Sequence, residues 1–430
     1  MRKMKDSGVE WIGEIPVDWK LSKIGSVYDE RNEKVSDKDF APLSVTKQGI
    51  VPQLETAAKT DNGDNRKLIR KDDFVINSRS DRRGSCGISE YEGSCSLINT
   101  VLKPQTNMCN RYYGFVFKSD GFADEYYRWG HGIVDDLWST KWIDMKSIYI
   151  PAPDITEQER IADYLDAKCS KIDEIIEKQQ AIIEKLKEYK LSIITEVVTK
   201  GLNPDVEMME NGAEFVGKIP QNWSIAKLGN LFDFIGGYAF NSEMYVSESQ
   251  NQVVRIGNVK NGYMLLDSNP VFVNDETAER ANKFLIKPNY ILFTMTGTKG
   301  KRDYFFTHVV TEEDCKGKRL YINQRVGCFV AKKGVHPAYY GYLLKDNKIL
   351  DGIFLYETGT ANQGNLGIDS ISRTKVHVPP YEEQCKIAEY LDKKCNMIDS
   401  NIYEKGRLII KLQEYKKSLI YEVVTGKKEV

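Results

Sequence analysis

Two groups of polar and basic residues have the chemistry needed to bind nucleic acid. Lysine and arginine neutralise phosphates, while arginine can bond in pairs to guanine, and asparagine or glutamine to adenine. In the first half of the chain the candidates are Lys47, Gln48, Asn77, Arg79, Ser80, Arg82, Arg83, Ser139, Thr140 and Lys141. In the second half they are Lys260, Asn261, Thr294, Thr296, Thr298, Lys299, Lys301, Arg302, Thr360, Asn362, Gln363 and Asn365. Any one of them also fits an ordinary solvated loop side chain, but as loops they favour a surface that contacts DNA.

Three short motifs that could indicate catalysis are incomplete. Val378–Tyr381 has the prolines and tyrosine of an amino-methyltransferase loop, but valine cannot accept a hydrogen bond from a target amino group. Asp154 with Asp166–Lys168 fits a nuclease metal pattern, but the second part falls on a predicted helix. Gly297–Lys301 lacks the spacing and the hydroxyl residue of a phosphate-binding loop. We therefore expect no catalytic residue and no metal ligand.

Composition indicates two or three globular parts. The chain has 430 residues, 41% hydrophobic and 29% charged, with a net charge of −1. This length exceeds one ordinary hydrophobic core. We expect no membrane-spanning helix, because no window holds eighteen apolar residues, and no secretory signal in the first residues. Eight cysteines without a Cys-x-x-Cys pair predict reduced thiols in a cytoplasmic protein, not a zinc site.

The segments that must position these loops occur as internal sequence repeats. The opening "SGVEWIGEIPVDW" (Ser7–Trp19) returns as "NGAEFVGKIPQNW" (Asn211–Trp223), 204 residues later. A second block, "EQERIADYLDAKCSKID" (Glu157–Asp173), returns as "EQCKIAEYLDKKCNMID" (Glu383–Asp399), 226 residues later. Self-similarity at this spacing indicates a duplicated domain followed by a helix.

The second block predicts two long helices in a coiled coil. The apolar positions follow a 4,3 spacing at Leu165, Cys169, Ile172, Ile176, Ile183, Leu186, Ile193 and Val197, and again at Leu391, Cys395, Ile398, Ile402, Ile409, Leu412, Leu419 and Val423. Gln179, Lys190, Lys405 and Lys416 are polar seam positions, and we expect both Lys190 and Lys416 to direct their amines to water. A capping box at Thr156–Glu159 is expected to start the first helix, which would be about 66 Å long. The alternative is two independent amphipathic helices, each packed on its own domain.

The middle of each half predicts a mixed α/β globule with only faint common features. "SVTKQGIV" (Ser44–Val51) resembles "RIGNVKNGYM" (Arg255–Met264), and "LIN" (Leu97–Asn99) resembles "YIN" (Tyr321–Asn323). "YYGFVF" and "YYGYLL", which start at Tyr112 and Tyr339, predict helix starts.

The opening motif, the "EQ..IA.YLD.K...ID" helices and the alternation of variable and repeated segments resemble the DNA specificity subunit of type I restriction-modification systems. The resemblance implies a non-catalytic subunit whose two target-recognition domains each read one half of a split DNA site. It implies helices that set the gap and dock two modification (methyltransferase) subunits, with restriction (motor-nuclease) subunits added. It also implies that S-adenosylmethionine, ATP and magnesium are bound by those partners and that this chain binds no cofactor.

The predicted fold is therefore mixed α/β, with two globular target-recognition domains separated by a long antiparallel two-helix coiled coil and related by a pseudo-two-fold axis. The predicted parts are a first domain (1–155), a first helical spacer (156–203), a second domain (204–380) and a second spacer (381–430). If the two halves are related in this way, Trp11 should lie near Val424, as Phe215 should lie near Val198. The alternatives from other classes are a protein-binding scaffold and a self-contained modification enzyme.

Overall fold

The computed structural model describes residues 2–54, 63–79, 82–132, 138–360 and 362–430. The chain forms two compact units with mixed α/β structure. Unit 1 comprises Met1–Ala181 together with Lys405–Val430, and unit 2 comprises Ile182–Glu404. Each of the two long helices contributes to both units, and the four-part division at residues 155, 203 and 380 stays a prediction.

Unit 1 is built on an antiparallel sheet. Its strands, in spatial order, are Cys86–Ile88, Phe74–Asn77, Asn99–Pro104 and Tyr28–Glu30, with Asn99 opposite Asn77. Buried aromatic side chains cover the sheet. Among them, Phe74 packs at a tilt against Phe117, with ring centroids 4.7 Å apart. Other described strands are Met4–Asp6, Glu14–Pro16, Lys20–Lys23, Lys34–Val35, Leu43–Thr46, Gly49–Pro52, Arg66–Ile69, Gly93–Cys95 and Tyr149–Ala152; described helices are Ile24–Ser26 (3-10), Asn110–Lys118, Asp120–Arg128 and Trp142–Met145.

Unit 2 has a central sheet of the same order. Thr307–Val309, Ile291–Thr294, Val326–Ala331 and Phe232–Ile235 lie side by side, with Val326 opposite Thr294. Other described strands are Met208–Met209, Ile219–Pro220, Ser224–Lys227, Tyr245–Val246, Asn251–Val254, Val259–Lys260, Tyr263–Met264, Phe272–Val273, Thr296–Gly297, Arg319–Ile322, Thr358–Thr360, Gln363–Asn365 and Lys375–Val378. Described helices are Leu228–Leu231, Asp275–Arg280, Pro337–Leu343, Asn347–Phe354 and Ile368–Arg373, with 3-10 turns at Ser242–Met244, Ile256–Asn258 and Asn282–Phe284. The "YYG" helices are confirmed in both units.

In each unit a strand that follows the opening motif pairs with the strand that precedes a long helix. Lys20–Lys23 pairs antiparallel with Tyr149–Ala152 in unit 1. Ser224–Lys227 pairs with Lys375–Val378 in unit 2. The two repeated blocks therefore meet in space, and the variable segment between them is a loop-rich insertion closed at its base by this ladder.

The first long helix runs from Ile155 to Lys200 and the second from Tyr381 to Val424. They lie antiparallel, because in unit 1 Lys416 bonds to Asp173 at 2.7 Å and Lys405 bonds to Gln179 at 3.1 Å. These contacts exclude the alternative of two unpaired helices. The seam is confirmed by buried side chains at Leu165, Cys169, Ile172, Ile176, Val197, Leu391, Cys395, Ile398, Leu419 and Val423. Ile183, Leu186, Ile193, Ile402, Ile409 and Leu412 are only half-buried.

The prediction that the seam lysines direct their amines to water is wrong. Within unit 2 the Lys190 amine donates to both oxygens of Asp399, at 2.8 and 2.6 Å. Within unit 1 Lys416 makes the same kind of pair with Asp173. Both lysine side chains are less than a third exposed, so each charge is held by the facing helix.

The expected capping box is also wrong. The first long helix is capped by Asp154, whose Oδ1 accepts from Glu157 N at 2.9 Å. Gln158 lies in the first turn of this helix, but its side chain bonds to residues outside the helix. Its side chain accepts from Cys109 N at 2.9 Å and donates to Pro153 O at 2.8 Å. Gln384 makes the same two kinds of bond in unit 2, so the repeated glutamine joins each long helix to its "YYG" helix.

The first opening motif packs against the end of the second long helix, as predicted. The Tyr421 hydroxyl donates to Trp11 O at 3.2 Å across 410 residues of sequence, and the Lys427 amine donates to Ile12 O at 2.8 Å. Trp11 and Val424 belong to one buried core. In unit 2, Val216 shares a core with Val198, while Phe215 is only half-buried. The predicted two-fold relation between the halves stays a prediction.

Candidate nucleic-acid interface

In unit 1 the loop that leaves the central strand Phe74–Asn77 joins the segment before the last strand. Arg79 and Ser139 form a β-bridge, and Thr140 N donates to Ser78 O at 3.0 Å. These segments line a cleft of about 680 Å³, which we call the unit 1 cleft. The structure thus brings Arg79, Ser139 and Lys141 together from two distant parts of the sequence.

Unit 2 repeats this arrangement. Thr296–Gly297 pairs with Gln363–Asn365, which pairs in turn with Thr358–Thr360. Leu366 N donates to Met295 O at 3.0 Å, the counterpart of the Thr140 bond. The unit 2 cleft, of about 420 Å³, is lined by Met295, Thr296, Gln324, Arg325, Gly359, Thr360, Gln363 and Asn365. The two predicted loops of this half therefore form one surface.

A tight turn that the sequence does not predict as part of the site completes each cleft. In unit 1 it is Ser96–Asn99 and in unit 2 it is Asn323–Val326, and the last N–H of each donates to the first carbonyl, at 3.0 and 2.8 Å. We call these the cleft turns. Their exposed side chains, which line the clefts, are Leu97 and Ile98 in unit 1 and Gln324 and Arg325 in unit 2.

The cleft turns correct the predicted equivalence of "LIN" with "YIN". The strand register places Asn99 opposite Asn77 and Val326 opposite Thr294. Asn99 therefore corresponds to Val326, three residues beyond the "YIN" asparagine. No shared letters mark the true correspondence, so only the hydrogen-bond register could reveal it.

A glutamate organises the charges at the unit 2 cleft. The Glu357 carboxylate accepts from Gly300 N at 3.0 Å and from the Tyr304 hydroxyl at 2.6 Å. Lys299 reaches the other loop, donating to Gly359 O at 3.0 Å. Burial, and then Glu357, raise the pKa of Tyr304, so its hydroxyl stays a donor. The loop between Thr296 and Arg302 is thereby tied to the hairpin that ends at Asn365.

The basic loop of unit 2 is shaped by its own acids. Hydrogen bonds from Thr298 lower the pKa of Asp303, and Asp303 accepts from Thr298 N at 2.7 Å. Arg302 pairs with Asp351 and lies over the ring of Phe354. Lys301 is exposed. Lys299 and Lys301 are therefore more available to a phosphate than Arg302, whose charge is already partly neutralised.

Charges at the unit 1 cleft are distributed differently. Lys67 at its floor pairs with Glu30 at 3.3 Å. Arg79 and Lys141 are exposed. Arg83, on the same basic stretch as Arg79, pairs with Asp124. Arg82 is exposed too, while Ser80 lies outside the described residues.

Three predicted residues lie behind the surface. Thr140 is fully buried and its hydroxyl donates to Tyr126 O at 2.7 Å. Thr294 is buried and its hydroxyl accepts from Phe306 N at 3.0 Å. Asn77 is buried and accepts from Arg79 N at 3.1 Å. As they stand, these side chains support the loops, and a direct contact with a base would require them to leave their present partners.

Four predicted residues lie on hairpins. Lys47 and Gln48 form the exposed turn between Leu43–Thr46 and Gly49–Pro52, while Lys260 and Asn261 lie at the turn between Val259–Lys260 and Tyr263–Met264. The predicted similarity of these segments is thus confirmed as a shared hairpin. Among the described residues, neither hairpin tip lines its unit's cleft. Thr360, Asn362, Gln363 and Asn365 are all exposed on the hairpin of the unit 2 cleft.

The residues of the incomplete catalytic motifs have structural partners. Asp154 caps a helix, and Asp166 pairs with Arg111 at 2.7 Å. Val378 ends the strand that pairs with Ser224–Lys227. In the described ranges, no cluster of three or more histidine, cysteine or acidic residues could hold a metal ion. No described helix is both long and apolar enough to cross a membrane.

The chain thus has two mixed α/β units, each with a cleft formed by corresponding segments, and both long helices contribute to each unit. Residues 220–409 match the family model described as the type I restriction modification DNA specificity domain. The chain is 23% identical to a putative type I restriction enzyme MjaX specificity subunit of Methanocaldococcus jannaschii, over 97% of this chain and 95% of that one. It is 24% identical to the MjaVIII specificity subunit of the same organism, over 66% of this chain and 62% of that one.

Solved structures show the same fold. One chain, from work on complex assembly and conformational transition of the type I R-M system, superposes with a TM-score of 0.71 at 14% identity, covering 96% of this chain and 99% of that one. The HsdS subunit from Thermoanaerobacter tengcongensis gives a TM-score of 0.53 at 15% identity, covering 96% and 98%. The resemblance to type I restriction-modification specificity subunits is confirmed, and the scaffold alternative is not favoured.

Proposed function

We propose that this chain is the non-catalytic subunit that gives a type I restriction-modification complex its DNA sequence specificity. Each unit reads one half of a split, asymmetric duplex site through its cleft. The observation that carries the proposal is the duplicated cleft. In each unit the loop leaving a central strand, the segment before the last strand and a tight turn converge, with different exposed side chains. Equal scaffolds with unequal side chains are what reading two different half-sites requires.

The clefts suit DNA better than a protein partner because of their side chains. The unit 1 cleft presents arginine and lysine beside apolar side chains, and the unit 2 cleft presents arginine, glutamine, asparagine and threonine. The polar side chains can bond to phosphates and base edges. Exposed basic residues lie at both, with Arg79 and Lys141 at one and Lys299 and Lys301 near the other, and none of the four is in an ion pair with another described residue. Affinity for duplex DNA should therefore include a large salt-dependent part.

In this proposal the paired long helices set the gap between the half-sites and dock two modification subunits. Exposed apolar side chains on the helices, such as Tyr189, Ile410 and Tyr415, offer contact surface for such partners. Restriction subunits join the same complex. S-adenosylmethionine, ATP and magnesium are bound by these partners, and this chain contributes DNA recognition alone.

An exchange experiment tests whether the units read independently. The ladders at the base of each variable segment give clean junctions, so residues 24–148 can be replaced by the matching segment of another specificity subunit without touching either long helix. The chimera is expressed with the modification subunit of this system, and methylated sites are mapped across a host genome. We expect one half-sequence to change while the other half and the gap stay the same.

The reciprocal exchange of residues 228–374 is the matched control, and it should change the opposite half. A chimera in which both halves change would contradict independent reading. The parent chain, without any exchange, is also expressed with active modification subunits. Absence of any sequence-specific methylation in that experiment would contradict the proposed function itself.

A further inference from the structure

We infer that the two cleft turns are base-reading positions and that they read different chemistry. In unit 2, Gln324 and Arg325 contact purine edges, while in unit 1 Leu97 and Ile98 make an apolar contact with thymine methyl groups. This inference rests on the proposed function and adds residues to it that carry no family motif.

The two turns are structurally equivalent. Each turn follows a strand of a neighbouring sheet, Gly93–Cys95 in unit 1 and Arg319–Ile322 in unit 2. Each turn leads into the long strand of the central sheet, Asn99–Pro104 in unit 1 and Val326–Ala331 in unit 2. In each, the carbonyl of the third turn residue is held by the loop leaving the neighbouring strand. Ile98 O accepts from Ser78 N at 3.2 Å, and Arg325 O accepts from Met295 N at 3.1 Å.

The unit 2 turn is held rigidly from below. Asn323 N donates to Val254 O at 3.0 Å, and the Asn323 side chain accepts from Gln324 N at 2.9 Å. Gly237 passes so close to the Asn323 carbonyl that a methyl group there would overlap it. Because these three contacts hold its backbone, the turn presents its side chains with little loss of conformational entropy on binding. Such preorganisation favours affinity and geometric selectivity.

The side chains at the tip are uncommitted. Gln324 and Arg325 are exposed, and within the described part of the chain no ion pair holds the Arg325 guanidinium. Arg302, on the neighbouring loop, is by contrast paired with Asp351. Of these two arginines at the unit 2 surface, Arg325 is therefore the one whose full set of donors is available to a ligand.

The chemistry of the two tips differs in a way that DNA can report. Arginine can form two bonds with guanine, and glutamine two with adenine, whereas an apolar side chain discriminates only through the thymine methyl group. In unit 1, Leu97 and Ile98 are both more than a third exposed, so part of each apolar side chain faces the cleft instead of the core. A hydrophobic contact made only on binding accounts for them.

The test uses the full chain co-expressed with its modification subunit and a duplex library randomised over the split site found for the unmodified chain. Bound sequences are selected for four proteins: unmodified, Arg325→Ala, Arg325→Lys and Lys333→Ala. Lys333 is an exposed control in the turn that follows the same strand. Both Arg325 variants should relax one position of the unit 2 half-site about 5- to 100-fold, because lysine keeps the charge but loses the paired geometry.

The outcomes separate the possibilities. Arg325→Ala that weakens all sequences equally and lowers the salt slope by about 0.9, with Arg325→Lys unchanged, would mean a phosphate contact and overturn the inference. An unaltered motif in both variants would overturn it too, while the proposed function would survive. An unmodified chain without any sequence preference would instead overturn the proposed function.

A second variant tests the apolar contact in unit 1 by replacing the two side chains with small polar ones. Leu97→Ser with Ile98→Ser should reduce the preference at a thymine position of the other half-site and leave the Arg325 position unchanged. Because both side chains are more than a third exposed, their replacement should leave the fold intact with only a modest loss of stability, which thermal unfolding of the variant would measure. A preference that is retained in full would refute the apolar reading role of this turn.

Discussion

Substituting Gly426 by alanine should destabilise unit 1 more than its backbone conformation alone explains. Gly426 follows the second long helix with φ +71°, a left-handed conformation that costs other residues about 1–2 kcal/mol. A methyl group at this buried position would also overlap the ring of Pro16, in the opening motif. Overpacking of this kind costs about 1–3 kcal/mol, so the total is about 2–5 kcal/mol.

Gly8 provides a matched control within the same unit. It has the same φ of +71°, but an added methyl group would meet nothing within 4 Å. Gly8→Ala should therefore cost only the backbone part. The difference between the two variants isolates the contact between chain segments some 410 residues apart.

Hydrogen exchange measured by mass spectrometry suits this comparison, because a chain of two units need not unfold in one step. Peptides from the unit 1 core should lose more protection in Gly426→Ala than in Gly8→Ala, while unit 2 peptides should be unaffected. Equal losses in the two variants would refute the packing of Pro16 against the helix end.

Three further predictions concern the seam, the cleft and pH. Leu165→Ala should cost about 2–5 kcal/mol in thermal or denaturant unfolding because the side chain is fully buried, and a cost below about 1 kcal/mol would contradict the seam. Arg79→Ala should lower the slope of log K against log salt by about 0.9 in DNA-binding titrations, and an unchanged slope would remove it from the phosphate contacts. Burial lowers the pKa of His377 to about 4, so the folded state takes up its proton at lower pH than the unfolded state, and unit 2 should lose about 3 kcal/mol as pH falls from 6.5 to 4. His377→Gln should flatten that pH dependence in acid unfolding, and a slope equal to that of the parent chain would refute the assignment.

The helices and the duplicated frame could be predicted because their signals are local and written twice. The 4,3 spacing alone predicts that Leu165 and Leu391 are buried, since seam burial follows directly from periodicity. The partners of the seam lysines could not be predicted. Pairing Lys190 with Asp399 depends on the register between the helices, which periodicity within one helix leaves open.

The clefts could be predicted in part. Polar loops around Arg79 and Gln363 are recognisable by residue type, and the structure brings the loops of each unit together. Residue type could not show that Thr140 and Thr294 are buried, because threonine is mostly exposed in folded proteins. The cleft turns could not be predicted as part of the site, since Leu97 has the type of a core residue.

The membership of unit 1 has a consequence for how the chain is made. Unit 2 is continuous from Ile182 to Glu404, whereas unit 1 needs Lys405–Val430 to complete its core. During synthesis the usual order, in which the earlier part folds first, is therefore reversed. The core that contains Trp11 can be completed only after Leu419 and Val423 have emerged from the ribosome. A chain truncated before Leu419 would therefore lack side chains that complete the core around Trp11.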